Sequence, residues 1–261
     1  MSVVAQPAIA MPVTARGQRF YVNMAAACLG VAVAGFLPTY WVPMVRGTLN
    51  VPPVTHLHAA FFYGWCALFV VQTRLAATRR IARHRELGLL GVSIATGMCF
   101  VGLGAAIGTL KRYQGSEMWD AAQAFSIVPV SGIAFFATVF AIAVARVKQP
   151  EIHKRLLLVA TVSLLNAAIG RWFALFLAPP LPAGFQGAIA PPPVAVSIIP
   201  GLVADLLIVA AMMHDVRRDG RVHRVYWVAG GALVALQVLR VPFSATGAWA
   251  DIATALVAFA P

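Results

Sequence analysis

Residues 79–110 read RRIARHRELGLLGVSIATGMCFVGLGAAIGTL. Four arginines and a histidine crowd the first seven positions, and after Glu86 no charge appears before Lys111. At ~1.5 Å of rise per residue, a helix over 86–110 is long enough to cross the ~30 Å hydrocarbon layer of a bilayer. Working outward, the same alternation of charged break and apolar run predicts helices at 20–45, 55–77, 86–110, 121–146, 153–178, 194–213 and 224–243. The fold class expected is therefore all-α, an integral membrane bundle of seven transmembrane helices. Residues 1–19 form an N-terminal segment, 20–243 the membrane domain and 244–261 a tail. That tail, SATGAWADIATALVAFAP, is short and broken and is expected to lie along the outer interface.

Composition agrees with this. The 261 residues are 61% hydrophobic and 11% charged, with a mean hydropathy of +0.82, outside the usual range of soluble domains. The net charge of +12 does not imply nucleic acid, because the cations sit in short loops rather than on one soluble face. Arg74, Arg79, Arg80, Arg83 and Arg85 follow helix 2. Arg146, Lys148, Lys154 and Arg155 follow helix 4, and Arg217, Arg218, Arg221 and Arg224 follow helix 6. The positive-inside rule makes these three loops cytoplasmic, and Arg16 and Arg19 place the N-terminus on the same side. No basic n-region precedes an apolar core at the N-terminus, so no cleaved signal is expected. Cys28, Cys66 and Cys99 form no CxxC pair and read as small core residues.

Three cytoplasmic helix starts resemble one another: ARHRELGLLG at 82–91, EIHKRLLLVA at 151–160 and RVHRVYWVAG at 221–230. His84, His153 and His223 fall at near-equal spacing, each followed by Arg or Lys, which suggests three helical hairpins after helix 1. A helix N-terminus disfavours imidazolium, and neutral imidazole is the form that ligates a metal or heme iron. The three histidines are thus candidate metal ligands if helices 3, 5 and 7 are neighbours, with Glu86, Glu151 and Asp215 close in sequence. The alternative is that they sit at headgroup level beside lipid phosphate. His214 has no counterpart in the repeat.

On the outer side His58 lies about 24 Å from Arg74, while Arg171 and Arg240 lie about 27 and 26 Å from His153 and His223. These three are candidate cofactor-binding residues. The arginines would take the carboxylates of an anionic ligand such as heme propionates or a quinone-like headgroup, with His58 as axial ligand or proton donor. Snorkelling of the arginines into the interface is the alternative. Asp205 is the one acidic residue deep in a span and is the candidate catalytic group, a proton relay, with Asn166 and Gln237 as polar groups able to satisfy it. Gly104 and Gly108 in helix 3 form a small-xxx-small pair suited to close packing. No span holds an internal lysine, and there is no Walker A loop, HExxH or dinucleotide fingerprint, so retinal, protease and nucleotide chemistry lack their signatures.

The strings HRELG and HKRLLLVA resemble helix starts of small bacterial multi-pass proteins that are distantly like cytochrome oxidase assembly factors or cytochrome b561-like bundles. The resemblance covers roughly residues 55–175. It implies heme or metal ligation at His58, His84 and His153. On the outer side His56 and His58 share one helix, and no transmembrane histidine opposes them.

These readings lead to an expected bacterial inner-membrane protein holding a heme or a transition metal ion through histidines, in electron transfer or cofactor assembly. Two alternatives belong to other classes: an accessory subunit of a larger membrane complex, and a carrier of a small anionic or lipid-like solute. The bilayer is the expected partner, and nucleic acid is not.

Overall fold

The computed structural model describes residues 15–177 and 190–258. Among them every regular element is helical, and seven helices are long and apolar enough to cross a membrane. They are α1 (Arg19–Val45), α2 (Pro53–Ala77), α3 (Ile81–Lys111), α4 (Trp119–Ala145), α5 (Pro150–Phe176), α6 (Val194–Asp219) and α7 (Tyr226–Ser244). The protein is a multi-pass membrane protein. Its outward side chains are apolar where a soluble protein would be polar: Leu89, Phe100, Phe176 and Val228 all stand free of the bundle, a surface that lipid covers.

The arginine-rich loops α2–α3, α4–α5 and α6–α7 gather at one end of the bundle, called here the basic end. Helices run further into these loops than hydropathy predicts, α3 starting at Ile81 and α6 ending at Asp219. Backbone hydrogen bonding carries on after the apolar run stops, because Arg stems extend along the helix while their heads reach water.

α5 is the inner helix. It packs against α1, α4, α6 and the start of α7, while α2 bridges α1 and α3, and α4 bridges α3 and α7. Leu158, Val159, Ala160, Thr161 and Val162 are all buried, a continuous run rather than a stripe, as expected for a helix covered on every side. Trp65 of α2 reaches it through an indole N–H to Thr161 Oγ1 at 3.2 Å.

α1 and α5 are interrupted within their spans, and α7 begins on a π turn at Tyr226–Gly230. In α1 a π-helical turn spans Leu37–Trp41. Pro38 has no N–H to give to the carbonyl four residues back, and that carbonyl, Ala34 O, accepts instead from Trp172 Nε1 of α5 at 2.9 Å. α1 and α5 approach closely here, since a Cβ on Gly35 would run into the Ala168 backbone. α5 itself breaks between Ser163 and Asn166, where Leu164 and Leu165 donate to Thr161 O and Val162 O in tighter i→i−3 bonds.

One expectation is corrected. Gly104 and Gly108 face open space, and the close contacts of α3 are made at Gly97 against Phe61 and at Gly102 against Ile133 and Phe62. The C-terminal stretch forms a further helix, α8 (Gly247–Ala258), packed on α3 and α4. Trp249, Ala253 and Val257 are buried there. Trp249 Nε1 donates to Gln123 O at 2.8 Å, and Gln123 Nε2 donates to Thr254 Oγ1 at 2.9 Å.

Candidate functional site

At the basic end the first turns of α5 place Glu151 and Arg155 on one face, four residues apart. The Arg155 side chain is wholly buried, as is Asp215 of α6. The guanidinium grips that carboxylate as a fork, Nε to Oδ2 at 2.9 Å and Nη2 to Oδ1 at 2.7 Å. Nη1 donates to Glu151 Oε2 at 2.6 Å and to Glu151 O at 2.8 Å. Asp215 Oδ2 also accepts from the His223 backbone N–H at 3.3 Å, which ties down the α6–α7 loop. Arg218 closes on Glu151 and Asp219, and Lys154 binds Glu151 while lying over the Tyr21 ring of α1. Tyr21 and Tyr226 share a hydrogen bond at 3.1 Å. Four helices are thereby joined by a network that uses nearly every donor of its central arginine. A buried ion pair is destabilised strongly when one partner is removed, by ~3–5 kcal/mol.

The three repeat histidines surround this network without converging. A carbonyl can only accept, so His84 Nδ1 donates to Gln72 O at 3.3 Å and His153 Nδ1 to Ala143 O at 2.8 Å. Each thus closes its own hairpin by binding the preceding helix, and each leaves Nε2 with the free lone pair when neutral. The two rings are near enough to act on each other electrostatically. His223 is reversed: its Nδ1 accepts from Val225 N–H at 3.3 Å, so Nε2 carries the proton. Burial, and next the Arg155 charge, hold the His223 pKa below its ordinary value. Among the described residues no group of three or more His, Cys, Asp or Glu side chains could hold a metal ion. The trio therefore does not fit a three-histidine centre, and only His84 and His153 present the tautomer that ligation needs. His214 stacks flat on Phe20 at 3.9 Å.

Asp205 sits on a buried turn of α6, and neither carboxyl oxygen makes a hydrogen bond of good geometry among the described residues; the Gln237 side chain of α7 is its one neighbouring donor, loosely placed. Arg155–Asp215 and the Gly170–Pro200 contact fix the antiparallel register of α5 and α6. Ten residues from each partner of the ion pair, about 15 Å at 1.5 Å per residue, bring Asp205 level with Leu165, at the break in α5. The Gln237 side chain of α7 packs on Gly201, one turn away, and its Oε1 is likewise buried without a partner. Asn166 does not serve Asp205; its Nδ2 donates to Ser197 O at 3.3 Å.

Toward the other end, the two outer arginines part company. Arg240 Nη2 donates to Ser197 O and Oγ at 3.2 and 2.8 Å, which holds the first turn of α6 against α7. Arg171 lies with its guanidinium 3.9 Å over the Phe36 ring and gives one hydrogen bond, to Ala167 O at 2.9 Å. It acts electrostatically on His58 and Tyr63. The His58 ring stacks on Phe62 at 4.2 Å, and its buried Nδ1 has no partner among the described residues.

Arg155, Asp215, Tyr21, Tyr226 and Ser197 organise these regions, and sequence reading passed over most of them. Arg155 counts among the topology-setting cations, and only its position two residues after His153 hinted at more. No protein-family model, curated protein or solved structure matches this chain.

Proposed function

We propose that this membrane protein is a proton-coupled carrier of a small organic anion, with Asp205 taking up and releasing the proton. The observation that supports it is a buried carboxyl, held by no ion pair and by at most a loose Gln237 contact, level with a break in the innermost helix. Ionisable groups inside spans are costly and serve function by default. Interrupted helices near the membrane midplane are where carriers build binding sites. The two halves of α5 hinge at Leu164–Leu165: the half before the break is fastened by Arg155, and the half after it leans on α1 and α6. The proton on Asp205 neutralises the carboxyl while the site is closed, and ionisation follows when the break admits water or solute.

The test uses protein in liposomes loaded with a pH-sensitive dye and exposed to gradients of small organic anions, terephthalate among them. Wild-type protein moves luminal pH with the anion, and Asp205→Asn, still folded by its unchanged Tm, does not. Proton flux unchanged in Asp205→Asn would sink the proposal.

A second reading rests on the matching tautomers of His84 and His153. Their Nε2 atoms would hold a heme iron or a transition metal ion by a two-ligand attachment, the metal supplying redox chemistry when bound. Purified protein with a visible heme band or stoichiometric metal, lost in His84→Ala, supports it. A colourless, metal-free preparation overturns it.

A further inference from the structure

We infer that His58, Arg171 and the rings around the π turn of α1 form the recognition site for a planar organic anion, whose carboxylate Arg171 holds. The inference rests on the carrier reading and names its substrate class. Arg171 has a fork of five N–H donors, and one hydrogen bond to Ala167 O is all it makes among the described residues. It meets no carboxylate there, unlike Arg155 and Arg218, which are each paired with acids. The guanidinium, planar by its own bonding and lying over the Phe36 ring, keeps its edge donors in one plane, suited to the two oxygens of a carboxylate.

The neighbours supply the rest of the recognition. His58, five residues before Tyr63 on α2, stacks on Phe62 and keeps a buried Nδ1 with no partner among the described residues, a second polar atom for the same anion. Tyr63, which accepts from Trp41 Nε1 at 2.9 Å and donates to Ala32 O at 3.3 Å, is fixed edge-on to Phe36. Trp172 is pinned to the carbonyl that Pro38 frees. Phe36, Trp41, Tyr63 and Trp172 are all only half-buried. Rings of fixed orientation beside a half-used guanidinium suit a flat body carrying a carboxylate, better than an aliphatic anion of equal charge. The π turn carries Tyr40 and Trp41, which hydrogen-bond His56 and Tyr63 of α2 and so fasten this end of α1 to it.

The experiment is equilibrium dialysis of radiolabelled terephthalate against the full chain in nanodiscs, with succinate as an anion of equal charge and no ring. Wild-type protein binds terephthalate saturably and succinate at least about fivefold more weakly. Arg171→Gln lowers terephthalate affinity at least about tenfold, and His58→Asn about threefold. Arg171→Lys, which keeps the charge should the Gln variant fail to fold, still loses several-fold because the fork is gone. Arg240→Gln binds as wild type. Equal binding of both anions, or terephthalate affinity unchanged in Arg171→Lys and His58→Asn, overturns the site and shows a snorkelling arginine. Saturable, Arg171-dependent binding with no flux in any liposome experiment keeps the site and overturns the carrier instead.

Discussion

The two ends of this bundle treat buried polarity in opposite ways. At the basic end Arg155 and Asp215 are completely enclosed and satisfied by each other, by Glu151 and by the backbone of His223. From the midplane onward Asp205, Gln237, His58 and Arg240 each keep a buried polar atom with no partner among the described residues. The contrast is one of degree, since Gln72 Oε1 and His214 Nε2 near the basic end are also unpartnered. Full pairing is how a fold holds helices in one arrangement, while an orphaned polar atom marks a place that a proton, water or ligand visits. The difference separates a clamp from a working region, although both carry an acid on the same helix.

Removing the acid tests that separation most directly. Asp215→Ala strands the buried Arg155 and is expected to destabilise by ~3–5 kcal/mol, read as a large fall in Tm and in yield of folded protein. Replacing the pair together, Arg155→Met with Asp215→Leu, recovers most of the loss, because two apolar side chains bury no charge. Asp205→Asn, ten residues away, shifts stability by less than about 1 kcal/mol, since it breaks no ion pair and the amide can still meet Gln237. Equal losses at Asp215 and Asp205 would erase the distinction between the two regions.

Histidines give a smaller effect of the same sign. His153→Ala removes the bond that closes the α4–α5 hairpin and costs about 1 kcal/mol or somewhat more. His58→Asn, with no Nδ1 bond to lose, leaves the Tm near wild type while weakening anion binding. Thermal unfolding of the two variants in one detergent makes the comparison.

Acid should produce the smallest effect, at His223. Its pKa is held below the ordinary value by burial and by Arg155, so the unfolded chain takes up that proton first. Stability is then fully present above the unfolded pKa of about 6.5. It falls as the pH drops toward the lower folded pKa and is flat below it. His223→Asn should flatten that part of the stability profile, and an unchanged slope would show that another group carries it.

The number of spans was legible because each is a long, nearly uncharged run between cations, a pattern with few alternatives in three dimensions. Their ends were less so: hydropathy halts at Met213 in α6, yet the helix continues through Asp215 to Asp219. The histidine spacing was visible and reflects a shared role in the first two hairpins, where Nδ1 binds the preceding helix. Which nitrogen remains free depends on whether a carbonyl or an N–H faces the ring, and no spacing reveals that. Arg155 lies among cations that set topology in sequence, and only the acid sixty residues later separates it from them.

By itself the sequence determined a seven-span helical membrane protein, the basic end, and the presence of an acid inside a span. Apolar run length and loop charge suffice for these, because the bilayer imposes length and backbone satisfaction on each segment separately. Tertiary structure alone decided which polar groups are paired. It joined Arg155 to Asp215 and Arg240 to Ser197, left Asp205 no closer partner among the described residues than the Gln237 amide, and set Arg171 beside aromatic rings. Pairing depends on the register between helices, and that register comes from packing around α5 rather than from any one segment.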